Sequence, residues 1–293
     1  MVLLRVVERV ARQALIAEGL ESRFRRTSVA KLHLYDAPGR GDLPTVVLLH
    51  GISSAATPFA KLIRHLRPHV RRVLAPEAPG HGFSTEPVET MTPDSLFEGM
   101  AELLDEELDE PAIVFGNSLG GAVALSYGLA RPERVRGLFL ASPAGAHMSA
   151  AELEAFLAAF DVRSPAEARA FLSRIYHRTP WFLPLFAPQL QRLFARPAVR
   201  GFRATVRPEH LFTSERVREL RVPCHLLWGR SERLLPDSSL EFFLRSLPAH
   251  ATLARPDRIG HCAHLEDPVD LAQRIVAFSR VVTGDSVPVL AAS

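Results

Sequence analysis

AIVFGNSLGGAVALSYGLA, residues 112–130, decides how this chain is read. Its first four residues are an unbroken apolar run, the pattern of a strand buried on both faces, and GGAVALSYGLA continues as a helix. At the junction Gly116, Ser118 and Gly120 satisfy G-x-S-x-G. A serine held in a tight strand-to-helix turn needs small residues on both sides, because the two backbones approach there without room for a Cβ. The bland alternative is a glycine-rich turn or phosphate loop, but no Walker lysine follows and no G-x-G-x-x-G is present. Ser118 therefore reads as a nucleophile.

The same alternation extends in both directions. SVAKLHLYDA (28–37), TVVLLHG (45–51), RRVLAPEAPGHG (71–82), VRGLFLASPAG (135–145), VPCHLLWG (222–229) and HATLARP (250–256) read as strands, with helical segments between most of them. Strand and helix in turn predict an α/β fold, a mostly parallel doubly wound sheet. From 146 to 221 the alternation stops. That stretch carries Pro165, Pro180, Pro184, Pro188, Pro197 and Pro208, eight phenylalanines and no convincing strand, so it predicts an inserted helical cap. The expected organisation is an amphipathic helix in 1–27, a core of 28–145 and 222–282, a cap of 146–221 and a flexible tail at 283–293.

Composition narrows the class. Of 293 residues 47% are hydrophobic and 23% charged, as in an ordinary globular protein. No run nears the ~18 uncharged apolar residues of a membrane span. The opening MVLLRVVERVARQALIAEGL is broken by Arg5, Glu8, Arg9 and Arg12, which argues against a signal peptide and makes a cytoplasmic location the expectation. Leu3, Val6, Val7, Val10, Ala14 and Leu15 recur at helical spacing. A helix packed on the domain is the favoured reading; contact with a membrane surface or a partner through residues 2–20 is the sharper alternative. The net charge of +3 is carried by arginine, with lysine only at 31 and 61, and no basic run with interleaved aromatics suggests nucleic acid. Cys224 and Cys262 have no metal or disulfide spacing and read as reduced thiols or small core residues.

A serine needs a base, and the base an orienting acid. DRIGHCAHLEDP (257–268) offers His261 and His264 for the base. With LLHG (48–51), PEAPGHGFS (76–84), GNSLGG (116–121), LLWGRSERLLP (226–236) and GHCAHLEDP (260–268), the chain resembles the α/β-hydrolase superfamily, specifically its serine hydrolases with a helical cap. The resemblance spans the sheet in the family's order and leaves the cap and N-terminal helix unmatched.

It implies the order serine, acid, histidine. The family's histidine follows the glycine, which gives the role to His261; His264 then reads as a pocket-wall or helix-start residue, and His50 and His81 receive no proton-transfer role. The family's acid is normally aspartate where this chain has Glu232, with Asp237 and Asp257 as competitors; ASPAGAH (141–147), at the end of the sixth strand, offers no carboxylate. The oxyanion hole is expected from the backbone N–H of Leu119, next to the serine, and by resemblance from that of Ile52.

The expected function is hydrolysis of a carboxylic ester with an apolar acyl or alcohol part, such as a monoacylglycerol-like lipid, through an acyl-enzyme without metal or organic cofactor. Phe156, Phe160, Phe171, Trp181, Phe182, Phe186, Phe194, Phe202 and Phe212 supply apolar surface in the cap, and more than half of them should be core. The alternatives are a carbon–carbon bond hydrolase of ring-cleavage diketones, for whose carboxylate Arg163, Arg174, Arg178 and Arg203 are abundant but unspecific candidates, acyl transfer to an alcohol, and a non-catalytic binding protein on the same fold. Serine at the turn argues against epoxide hydrolase and haloalkane dehalogenase chemistry, since similar enzymes of those classes use aspartate there.

Overall fold

A computed structural model describes residues 2–284, with side chains described from Glu8 onward. Its strands are β1 (Glu21–Arg26), β2 (Lys31–Pro38), β3 (Val46–Leu49), β4 (Arg72–Pro76), β5 (Ala112–Ser118), β6 (Val135–Pro143), β7 (Cys224–Leu227) and β8 (Thr252–Ala254). They form one sheet in the order β1-β2-β4-β3-β5-β6-β7-β8. Only β2 runs against its neighbours; every pair from β4 to β8 is parallel. The winding reverses at β3, which has β4 on one side and β5 on the other, so the carboxyl ends of β3 and β5 flank the crevice where open α/β sheets place their ligands.

The helices are α1 (Val2–Ala17), α2 (Ala60–Leu66), α3 (Pro93–Glu107), α4 (Leu119–Ala130), α5 (Ala150–Ala158), α6 (Pro165–Ile175), α7 (Ala187–Phe194), α8 (Pro197–Thr205), α9 (Ser214–Arg218), α10 (Asp237–Ser246), α11 (Ala263–Glu266) and α12 (Pro268–Thr283). β3 and β5 are buried along their whole length because helices cover both faces. Side-chain alternation divides the core: Val47 and Leu49 pack with Leu103 and Leu104 of α3, whereas Val46 and Leu48 pack with Ile63 of α2 and Ile275 of α12.

The helices α5–α9 lie between β6 and β7, and among the described residues that insertion has only an isolated bridge, Ala146 to Phe212. Ser149 with Glu152 and Ser164 with Glu167 form capping boxes that start α5 and α6. The cap has its own apolar cluster, in which Phe160, Phe171 and Phe194 meet.

Two features depart from the sequence reading. The segment after α1 is a strand, β1, although ESRFRR contains a single apolar residue. Charge rather than an apolar face secures this edge: Arg23, Arg25 and Arg72 surround Glu107, whose side chain is 3% exposed, at 2.6–2.7 Å. In α1 the inward residues are Glu8, Ala11, Arg12 and Leu15, whereas Val10 and Ala14, expected on the apolar face, are exposed. Arg12 lies over the Phe83 ring and donates to the Ser22 hydroxyl at 2.7 Å, so the helix is seated partly by a cation. The side chains of Leu3, Val6 and Val7, and the expected tail from 285 onward, lie outside the described residues. Among those residues no helix is long and apolar enough to cross a membrane.

Candidate active site

Ser118 ends β5 and precedes the first turn of α4, with φ 55° and ψ −120°. A non-glycine residue there carries about 1–3 kcal/mol of strain, and the glycines make the turn feasible. A Cβ on Gly116 would stand 2.2 Å from the Gly120 carbonyl oxygen, and one on Gly120 2.2 Å from that of Leu49. The Ser118 carbonyl accepts from the Ala144 N–H at 2.9 Å, which ties the turn to the end of β6.

His261 lies in the loop after β8, and its Nδ1 is 2.7 Å from Oε2 of Glu232. The other oxygen of that carboxylate accepts from the N–H groups of Leu234, at 2.8 Å, and Leu235, at 3.1 Å. Burial is the largest influence on the Glu232 carboxyl and pushes it up. The charge of His261 and hydrogen bonds from His261, Ser142 and Leu234 outweigh burial and hold it below the usual glutamate range. An ionised acceptor at this distance fixes the proton of His261 on Nδ1 and leaves Nε2 able to take one. The competing carboxylates lie elsewhere: Asp237 is exposed at the start of α10, and Asp257 pairs with Arg230 at the surface.

Several positioning contacts have no local sequence signature. The Asn117 side-chain amide donates to the carbonyls of Ala141, at 3.0 Å, and His261, at 2.8 Å, so the residue before the serine holds the backbone of the histidine. The His261 N–H donates to the carbonyl of Ile175 at the end of α6. Glu266 accepts from the N–H groups of His177 and Gly260, each at 2.6 Å, and His177 Nδ1 meets the Ser231 hydroxyl, also at 2.6 Å. The end of α6 is thus stitched to the loops carrying Glu232 and His261. A Cβ on Gly260 would come within 3.0 Å of the His177 nitrogen and the Ile175 oxygen, which is why glycine precedes the histidine.

Gly51 lies against the serine, since a Cβ there would meet Ser118 Cβ at 3.2 Å. His50 donates from Nδ1 to the Gly51 carbonyl at 2.8 Å and accepts the Ala78 N–H at Nε2. Holding that carbonyl fixes the Gly51–Ile52 peptide plane with the Ile52 N–H on the opposite side. The Leu119 N–H opens α4, where no intrahelical acceptor exists. His81 accepts the Ser53 N–H and donates to the Pro79 carbonyl; burial, with His50 beside it, pushes it down to about 3. Both His50 and His81 are neutral braces for the loops after β3 and β4.

Ser118 and His261 open onto one cavity of about 480 Å³, within the range of small-molecule sites. Its wall is largely apolar, with Phe160, Phe171 and Phe194 of the cap among the lining residues. Phe202 is buried, Phe156 and Phe212 pack against the core, and Trp181, Phe182 and Phe186 are exposed. His264 lines the cavity beside Phe59, and burial pushes it down to about 3. Cys262 also lines it, and burial raises its thiol, which keeps the sulfur protonated. Arg163, Arg174, Arg178 and Arg203 do not line it. Arg196 does, and it donates to the Gly80 carbonyl and stands 4.0 Å from Glu8, so α1 contributes to the wall. Among the described residues no three His, Cys, Asp or Glu side chains cluster as a metal site would require.

Known proteins share this arrangement of strands and loops. The chain is 29% identical over 82% of its length to a pimeloyl-[acyl-carrier protein] methyl ester esterase of Aromatoleum aromaticum, covering 99% of that protein. It is also 29% identical over 80% of its length to a 2-hydroxy-6-oxononadienedioate/2-hydroxy-6-oxononatrienedioate hydrolase of Comamonas testosteroni, covering 86% of it. Against Lipase LipV of Mycobacterium tuberculosis, 38% identical over 43% of this chain, the match spans about half of that protein's length, 48%. The crystal structure of lip1 from Acinetobacter baumannii AYE superposes with a TM-score of 0.81 over 98% of both chains, at 19% identity. Residues 46–274 match the alpha/beta hydrolase family, and the chain belongs to that family of enzymes.

Proposed function

We propose that the chain hydrolyses a carboxylic ester with an apolar acyl or alcohol part, through an acyl-enzyme on Ser118. The observation that carries this reading is a strained Ser118 opening onto the same cavity as a histidine whose Nδ1 is held by a buried carboxylate. Ser118 Oγ attacks the ester carbonyl as its proton passes to His261 Nε2. The oxyanion takes hydrogen bonds from the N–H groups of Leu119 and Ile52, each worth on the order of 3 kcal/mol in the barrier. His261 then protonates the departing alkoxide, and a water, deprotonated by the same nitrogen, releases the acid and restores the serine. Glu232 stays ionised throughout and stabilises the imidazolium. Residues 28–145 and 222–282 carry this machinery, and the cap, 146–221, supplies most of the large apolar side chains in the wall that selects the substrate.

The test is turnover of p-nitrophenyl esters of graded chain length. Wild type is expected to hydrolyse them with a preference for an apolar chain that the cavity can enclose, and Ser118→Ala is expected to lose the activity. Equal turnover by both proteins would remove the serine from the mechanism.

A carbon–carbon bond hydrolase is the second reading, favoured by the likeness to the Comamonas testosteroni enzyme across most of the chain. The acidic end of a diketo acid would want a free cation in the cavity. Arg196 is the arginine in the wall, and it already faces Glu8 and the Gly80 carbonyl, so the ester reading is preferred. Turnover of a vinylogous diketo acid, with no turnover of esters, would reverse that preference.

A further inference from the structure

The cap carries an apolar patch that neither the core nor the cavity uses. Trp181 is 86% exposed and Leu185 71%, and Phe182 and Phe186 beside them are also exposed. They belong to the segment between α6 and α7, whose closing turn, Leu183–Phe186, lies against both helices. Contiguous apolar surface of this kind marks an interaction site. Its electrostatic setting is one-sided: from 168 to 208 the sequence holds eight arginines and no aspartate or glutamate. Arg174 in α6, Arg178 just before the patch and Arg192 in α7 are exposed, and none of the three forms an ion pair among the described residues.

We propose that this face of the cap docks on an anionic lipid surface. Trp181, Phe182, Leu185 and Phe186 enter the headgroup region, and Arg174, Arg178 and Arg192 meet the lipid phosphates. Both halves of the patch match such a surface: an indole, two phenyl rings and a leucine suit the boundary between water and hydrocarbon, and a negative leaflet attracts unpaired arginines. A second copy of the chain suits it less, because a two-fold contact through this patch would bring the arginines of one copy towards those of the other. The patch and the cavity are two sides of one segment, with Tyr176 lining the cavity just before the turn and Leu190 and Leu193 just after. The inference does not depend on which bond the site cleaves.

The experiment is co-sedimentation of the full chain with vesicles of phosphatidylcholine alone and of equimolar phosphatidylcholine and phosphatidylglycerol, beside a thermal melt followed by circular dichroism as a check on folding. The expected result is binding to the anionic vesicles only, weakened by salt. Trp181→Ser/Leu185→Ser should weaken it by about tenfold or more, in line with the apolar area withdrawn. Arg178→Glu/Arg192→Glu should weaken it by roughly 20-fold or more, about fivefold for each arginine lost. Both variants should keep the wild-type thermal midpoint, since Trp181, Leu185, Arg178 and Arg192 are exposed. The proposal is overturned if wild type ignores anionic vesicles, or if both variants bind as wild type does. It is also overturned if wild type ignores the vesicles and sediments as a dimer that Trp181→Ser/Leu185→Ser converts to monomer, which would make the patch a self-interface.

Discussion

At the scale of single residues, Glu232 shows how a loop can adapt to one extra methylene. Its Oε1 is caught by two backbone N–H groups while Oε2 meets His261, so the loop is shaped for glutamate. Glu232→Asp should keep the charge but withdraw it, lowering kcat by on the order of 10- to 100-fold. Glu232→Gln should cost about 10³–10⁴-fold, because a neutral amide neither enforces the Nδ1 proton nor stabilises the imidazolium. Steady-state kinetics on one ester checks both, and a Gln variant near wild type would take Glu232 out of the mechanism. Asn117→Ala should leave the Ala141 and His261 carbonyls without their donor, destabilising the fold by about 1–3 kcal/mol. It should also lower kcat more than it raises KM, since the histidine is displaced while the apolar part of the cavity wall is kept; a change in KM alone would contradict the positioning role. Ser118, His261 and Glu232 could be picked out in sequence because each sits in a short motif. Asn117 could not be given its role, since its two acceptors are 24 and 144 residues away.

Elements were legible where hydrophobic periodicity controlled them. The buried runs of β3, β5 and β6 could be read directly, as could the proline-punctuated insertion. β1 could not, because its pairing is secured by arginines around Glu107 and leaves no alternating pattern. The inward face of α1 was misplaced for a similar reason: Glu8 and Arg12 turn inward to polar and aromatic partners while Val10 lies outside. The stitching of α6 to the histidine loop was also hidden, and it predicts an effect of cap backbone on chemistry. Gly260→Ala places a Cβ within 3.0 Å of the backbone of Ile175 and His177, so the His261 loop must shift. A displacement of that size is expected to lower kcat by roughly 100-fold, together with a lower thermal midpoint. An alanine variant with wild-type kcat and midpoint would show that the cap and the histidine loop are not coupled in this way.

Across the whole molecule, buried histidines set the acid side of stability. His81 and His264 are held near 3 by burial when folded, against about 6.5 in the unfolded chain. Between those values the unfolded state binds protons that the folded state refuses, so the contribution is fully present above about pH 6.5 and is lost as pH falls. Glu232, held below the usual glutamate range, adds a loss in the same direction only further down, below about pH 4.3. The unfolding free energy from urea titrations should therefore drop between about pH 7.5 and about pH 5.5, by about 1 kcal/mol for each histidine; an unchanged value would mean that these histidines are protonated in the fold.

The central claim is that Ser118 is the nucleophile of the cavity, and the most direct test is reaction with a fluorophosphonate followed by peptide mapping. A single phosphonyl adduct on Ser118, absent from folded Ser118→Ala, is the predicted result. No adduct in wild type, or an adduct that persists in Ser118→Ala, would contradict it.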